Sequence, residues 1–277
     1  SKDKDIDELL DILKSEALVV LKWFQVNGMK PNCDKSHLLV ANKGNISLTI
    51  ENNVIDSSEC VKLLGITMDK QLNFTEHVLK LCKKGNQKLH ALARVSKYIN
   101  KEKLRVLMKT FVESQFNYSP LVWMFHNRTL NHKINRLHER ALRIVYKDDS
   151  NDELNFEDLL QKDGALSIHD RNLQKLAILM YRVKIDLAAK PIQELFLDQV
   201  NTYDLRQTRT WQIPRVKTVA YGTETIRYRG PKTWDLLPDN IKNASTLVEF
   251  KGKVKMWKPN GCTYRLCLTY AYHYEYL

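Results

Sequence analysis

The sequence has no apolar run approaching the ~18 residues that a membrane-crossing helix requires, so no membrane span is expected, and a membrane is not the first expected partner. No apolar stretch of the signal-peptide kind follows Ser1-Lys2-Asp3-Lys4-Asp5, and the lack of an initiator Met suggests a processed or partial chain. Cysteine is sparse: the five residues 33, 60, 82, 262 and 267 form an odd, scattered set. That excludes a disulfide framework and fits a reducing, intracellular setting. Glycine is thin as well, and Gly28, Gly65, Gly164 and Gly222 never gather into a phosphate-cradling loop. No Ser, His and Asp set has a spacing that suggests nucleophilic catalysis.

What the chain does have is positive charge. Forty-four Lys and Arg against 32 Asp and Glu leave a formal net charge of +12. Such an excess favours polyanionic partners, nucleic acid first and anionic membrane second. Composition alone weighs this equally against a basic protein with no such partner.

The hydrophobic pattern divides the chain. Ile6, Leu9, Leu10, Leu13, Ala17, Val20, Leu21 and Phe24 recur at three- and four-residue steps and predict one helix, which Asn27-Gly28 and Pro31 close. His37 to Ala41, Ile46 to Ile50 and Val61 to Thr67 are short runs rich in Leu, Ile, Val and Thr, separated by Asn-rich turns. They predict three strands completing a sheet begun upstream. From Phe74 the period becomes helical. Val78, Cys82, Leu89, Leu92 and Val95 form one stripe, and Leu104, Leu107, Met108, Phe111 and Val112 the next. Helices are expected over about Leu130–Lys147, Phe156–Leu160, Ile168–Ile185 and Leu247–Trp257, with breaks at Ser119-Pro120 and Asp163-Gly164. Residues 201–233 have little periodicity and read as an extended, basic connection.

One helix carries the clearest chemical signal. Lys133, Arg136, Arg140, Arg143 and Lys147 follow one another at steps of three, four, three and four, which aligns all five cations on one face. Ile134, Leu137, Ala141 and Ile144 repeat those steps one residue later and make the buried face. Lys80, Lys83, Lys84 and Lys88 form a companion cluster on an earlier helix. A charged helix face is more often a solvated face than a binding one. Two nearly single-sign faces tip the balance toward phosphate contacts, which hold a duplex without reading its sequence.

Two other motifs are weaker. Tyr146-Lys147-Asp148-Asp149 spells the Tyr-x-Asp-Asp box of reverse transcriptases. That chemistry needs its carboxylates on a tight turn between buried strands, where they hold two metal ions. Here the string ends a basic amphipathic helix and runs into a polar loop, so it reads as a decoy. In the tail, Cys262, Cys267 and His273 supply three candidate zinc ligands without an evident fourth, and free cysteines are the better reading. The tyrosines around them (264, 270, 272, 274 and 276) are candidates for stacking on single-stranded bases.

The run Trp23-Phe24-Gln25-Val26-Asn27-Gly28-Met29-Lys30-Pro31-Asn32-Cys33-Asp34-Lys35-Ser36 combines a helix ending in Trp with an Asn-x-x-Lys-Thr/Ser signature. It and the order of the segments after it resemble the C-terminal part of a non-LTR (LINE-type, jockey-like) retrotransposon reverse transcriptase. Leu64-Gly65-Ile66-Thr67-Met68-Asp69, followed by Leu72, Phe74 and His77, resembles the primer-grip strand. Tyr118-Ser119-Pro120-Leu121-Val122-Trp123, Leu137 to Ile144, Phe156 to Leu160 and Leu166 to Asn172 look like the thumb. Arg229-Gly230-Pro231-Lys232-Thr233-Trp234-Asp235-Leu236-Leu237-Pro238 and Phe250 to Lys255 are similar to the region beyond it.

The resemblance implies an α+β, predominantly α chain. Residues 1–73 would be a palm remnant with a few short strands, 74–190 a helical thumb, and 191–277 a basic, irregular C-terminal extension. It implies a fragment of an RNA-directed DNA polymerase that holds an RNA and DNA primer–template duplex through Lys133, Arg136, Arg140, Arg143, Lys147, Lys80, Lys84 and Lys88. Leu64, Gly65 and Ile66 would be primer-grip candidates, and Lys35 a proton-donor candidate in the intact enzyme. The catalytic Asp pair expected just before residue 1 is not in the sequence, so this chain is expected to be inactive alone. Mg²⁺ and the upstream polymerase segment belong to the intact enzyme, and nuclear localisation follows from the family. The alternatives are a non-catalytic nucleic-acid-binding protein derived from such an element, and a decayed element.

Overall fold

The computed structural model describes residues 6–32, 35–41, 44–51, 53–125, 127–147, 154–199, 210–217 and 222–259. The fold is α+β and predominantly α, as the hydrophobic periods indicate. The chain divides into two compact units, Ser1–His77 and Val78–Leu277, within a few residues of the change of period near Phe74.

In the first unit, helix α1 (Ile6–Val26) is followed by four short strands, β1 (Ser47–Ile50), β2 (Asn53–Asp56), β3 (Cys60–Leu63) and β4 (Ile66–Asp69). β1 pairs with β2 and β3 with β4, both antiparallel, giving two separate hairpins. The expected strand at His37–Ala41 reduces to one bridge, Leu38 with Ser57. The expected strand at Val61–Thr67 is instead two strands, because Leu64 and Gly65 both take positive φ (46° and 86°) and fold the chain back. Two successive positive φ values are the signature of a type I′ hairpin turn, whose twist matches that of the flanking strands. Only Gly is at ease there, so a single Gly beside an apolar residue hid the turn.

The first unit buries little. α1 spans 21 residues and none is fully buried, while Val19, Val20, Trp23 and Val26 are all more than half exposed. An open groove of about 710 Å³ runs between α1 and the first hairpin, lined by Leu13, Ala17, Leu21, Phe24, Leu48 and Ile55 among others.

The second unit has a full core. α2 (Thr75–Val95) leads into it, followed by α3 (Lys101–Leu107), a π-helical turn (Met108–Val112) and a 3₁₀ turn (Glu113–Phe116). Next come α4 (Pro120–Trp123), α5 (Arg128–Val145), α6 (Phe156–Asp163), α7 (Ile168–Lys184) and α8 (Lys190–Gln193). The expected breaks are real: Ser119 takes φ +41° before Pro120, and Gly164 closes α6 at φ +60°. Asn127, Asn155 and Ser167 each cap the following helix by accepting a backbone N–H, and Asn155 with Asp158 completes a capping box.

The C-terminal stretch is more ordered than its sequence suggests. Instead of an extended segment up to residue 233, α9 (Ile226–Asp235) and α10 (Asp239–Lys242) precede α11 (Leu247–Met256). Tyr181 on α7 stacks on Phe250 at 4.1 Å, Phe250 lies against Trp234 at 5.9 Å, and the Tyr181 hydroxyl donates to the Ala244 carbonyl at 2.8 Å. Gly230 makes the packing close: a Cβ there would sit 2.7 Å from Met180 Sδ and 2.9 Å from Phe196 Cε1. Gly230-Pro231 inside α9 is what obscured the helix, since both residues are poor helix formers judged locally.

Candidate nucleic-acid interface

α5 owes its position to a buried face broader than the sequence stripe. Leu130, Ile134, Leu137, Ala141, Leu142 and Val145 are buried, and Ile144 is half-buried. Three polar residues, Asn131, Asn135 and His138, are buried with them. On the opposite side Lys133, Arg136 and Arg140 are exposed, as aligned by their spacing. Among the described residues no carboxylate lies within ion-pair distance of Lys133 or Arg136. Arg140 reaches Asn86 Oδ1 on α2 at 3.3 Å.

The last two cations differ from expectation. α5 ends at Val145, so Lys147 lies in the turn beyond it, exposed. Arg143 is half-buried and donates to Glu139 Oε1 (2.8 Å) and to the Leu154 carbonyl (2.8 Å). Glu139 therefore neutralises one member of the stripe, and the Leu154 carbonyl ties that member to the entry of α6.

α2 runs beside α5. The two meet at Gly85, where a Cβ would stand 2.8 Å from Leu137 Cδ1. Lys80, Lys83 and Lys84 are exposed on α2; Lys88 is half-buried with its ammonium 5.9 Å from the Phe111 ring. Burial pushes the Cys82 thiol up to about 11 despite the nearby charge of Lys133. So both sequence-predicted basic faces belong to one unit, on helices in contact.

Other cations of the second unit are structural. Arg105 and Lys109 close on Asp163, whose side chain is fully buried and also accepts from the Tyr146 hydroxyl at 2.8 Å. These bonds overcome the burial that would raise the Asp163 carboxyl and hold it below its usual range. A second buried set joins Glu113, His138 Nε2 (3.1 Å) and Arg171. Burial alone would raise Glu113, but the hydrogen bond from His138 and the charge of Arg171 outweigh it and lower Glu113 to about 2. Sequence spacing gives no sign of either cluster, because each carboxylate draws its partners from 17 or more positions away.

Tyr146 is the C-cap of α5 and is buried, with its ring flanked by Lys101 at 4.5 Å and Lys162 at 5.8 Å. It follows a helix rather than a strand, the opposite of what a metal-binding box requires. Asp148 and Asp149 lie outside the described residues, as do Cys262, Cys267, His273 and the tail tyrosines. Among the described residues no three His, Cys, Asp or Glu side chains gather as a metal would require.

In the first unit the primer-grip candidates form the β3–β4 hairpin tip. Leu64 is 82% exposed, Gly65 follows it at positive φ, and Ile66 is buried below. The tip is braced by His77, whose Nδ1 accepts the Thr67 N–H at 3.2 Å, and by Lys70, which bonds Glu59 (2.6 Å) and Asn45 (3.0 Å). Lys35 is exposed, and its N–H donates to the Asn32 carbonyl at 3.1 Å. No helix among the described residues is long and apolar enough to cross a membrane. The chain matches no family model, no curated protein and no solved structure.

Proposed function

We propose that this chain is the C-terminal part of a non-LTR retrotransposon reverse transcriptase and that it clamps an RNA and DNA primer–template duplex through phosphates. The observation that carries the binding claim is the exposed cation face of α5 (Lys133, Arg136, Arg140) lying beside Lys80, Lys83 and Lys84 on the helix it packs against. Cations held on rigid helices meet regularly spaced phosphates at little conformational cost, and each contact releases counterions. Arg143 contributes less than its place in the stripe implies, because Glu139 already holds it.

The polymerase part of the reading draws support from the first unit. An apolar 21-residue helix with no buried residue fits a domain completed by further polypeptide, here the upstream palm segment. The hairpin tip at Leu64-Gly65 fits a backbone that approaches a primer end closely. In this reading the upstream segment supplies the catalytic carboxylates and their Mg²⁺, and the assembled protein works in the nucleus.

A second reading, a non-catalytic nucleic-acid-binding protein derived from such an element, is favoured by the self-contained core of the second unit. Binding of a labelled RNA–DNA duplex across a salt series tests both. With about four cations engaged, log affinity should fall against log salt at a slope of about −4. An unchanged affinity after Arg136→Glu and Arg140→Glu would overturn the binding claim. Primer extension with Mg²⁺ separates the readings further: incorporation by this chain alone contradicts the assignment of catalysis to an upstream segment.

A further inference from the structure

At the far end of the stripe, the last turn of α2, the end of α5 and helix α6 enclose a pocket of about 360 Å³. Its size falls at the small end of the ~300–1,000 Å³ range of ligand sites. Three of its lining residues are cationic: Lys97 in the turn after α2, Arg143 on α5 and Lys147 just beyond it. Ala93, Ile144, Leu159 and the Tyr146 ring supply apolar lining. Lys101 and Lys162 lie over that same ring, adding two charges from α3 and α6. Glu139 engages Arg143, and Asp163 behind Tyr146 is held by Arg105 and Lys109. Lys97 and Lys147 are exposed and have no ion pair among the described residues.

We propose that this pocket is an anion subsite that seats one backbone phosphate, with its sugar, of a nucleic-acid strand running along α5. The inference rests on the nucleic-acid reading above and adds a fixed end point to it. A flat cation face lets a duplex slide, because neighbouring phosphates are equivalent to it. A cavity lined by both cations and apolar groups is different: it takes the charged phosphate against its cations and the less polar sugar against its apolar lining. Ser96 and Lys97 border it from the α2 side, so a strand tracking past Lys133, Arg136 and Arg140 would have one phosphate seated in a recess rather than merely touched.

The test is the affinity of a short labelled RNA–DNA duplex over a salt series, for the whole chain and three double variants. Lys97→Ala with Lys147→Ala should weaken binding roughly tenfold at ~0.1 M salt and flatten the salt slope by about 1, as loss of the one enclosed phosphate requires. Lys251→Ala with Lys255→Ala, exposed on α11, is the charge-matched control and should change affinity less than about twofold. Melting temperatures should coincide, since all four side chains lie on exposed residues. If the pocket pair loses no more than the control pair, the subsite is overturned, and the wider reading survives as long as Arg136→Glu with Arg140→Glu still abolishes binding. If that third variant binds like the parent chain, the nucleic-acid reading fails and the subsite with it. Inorganic phosphate at matched ionic strength identifies the anion's source. It should displace the duplex from the parent chain better than chloride does, and lose this advantage in the pocket pair. A pocket pair that loses phosphate competition but keeps duplex affinity would make this a site for the free ion and overturn the assignment to a strand.

Discussion

At the scale of single residues, the informative positions are those where local preference and native conformation disagree. Leu64 sits at φ +46° with its side chain 82% exposed. The left-handed region costs an ordinary L-residue about 1–2 kcal/mol, and an exposed leucine recovers little of it through packing. Leu64→Gly should therefore raise stability by about 1 kcal/mol in chemical denaturation. If the tip supports a primer end, the same change should weaken binding to a recessed primer–template more than to a blunt duplex. A gain in stability with equal effects on both substrates would leave the tip a plain turn. Glu113 is the opposite case, a buried carboxylate whose partners are already in place. Its unfolded value is near 4.5 and its folded value about 2, so its ionised form stabilises the fold above pH 4.5. That stabilisation is lost as pH falls toward 2, because the unfolded state then binds the proton more readily. Acid unfolding followed by far-ultraviolet dichroism should show this dependence. Glu113→Gln should flatten it while costing about 2–3 kcal/mol at neutral pH, since Arg171 loses its counter-charge.

At the scale of elements, two glycines set how closely helices approach. Gly85 lies on the buried side of α2 against Leu137, and Gly230 on α9 against Met180 and Phe196. Gly230→Val should cost about 1–3 kcal/mol by overpacking, offset only in part by the better helix propensity of the new residue. Gly85→Leu should cost a similar amount, and by moving α2 away from α5 it should reduce duplex affinity beyond its effect on stability. Equal affinity at full folding would mean that the two basic faces act independently. The breaks and most helix spans were legible in the sequence because they rest on local chemistry: Gly164 and Ser119-Pro120 do what their residue types do best. α9 was not legible, because Gly230 and Pro231 spoil its local pattern and its reason for being helical lies on α7. The candidate site divides the same way. The spacing of Lys133, Arg136 and Arg140 placed them on one exposed face, whereas the capture of Arg143 by Glu139 and Leu154 depends on where α6 begins.

At the scale of the whole molecule, the two units differ in how much they bury. The second has a core that includes Trp234, Tyr181 and Phe250, all nearly inaccessible, whereas α1 buries no residue completely. Local opening tracks such differences, so amide hydrogens of α1 should exchange orders of magnitude faster than those of α7 in native-state exchange. Similar protection in both would show that α1 is covered in solution, by a second copy or another partner, and a concentration series in the same experiment would identify self-association.

The sequence by itself determined the period of each segment, the change from strand to helix near residue 74, the breaks at Ser119-Pro120 and Asp163-Gly164, and the alignment of cations on α5. Each of these depends on residues within about one or two turns of one another, which spacing and residue type report directly. Tertiary structure decided which cations stay exposed, how Asp163 and Glu113 gather partners from distant helices, that residues 226–256 fold onto α7, and that Lys97, Arg143 and Lys147 share a pocket. Those outcomes depend on contacts between positions far apart in the chain. Their energies come from burial and pairing that exist only once the helices have packed.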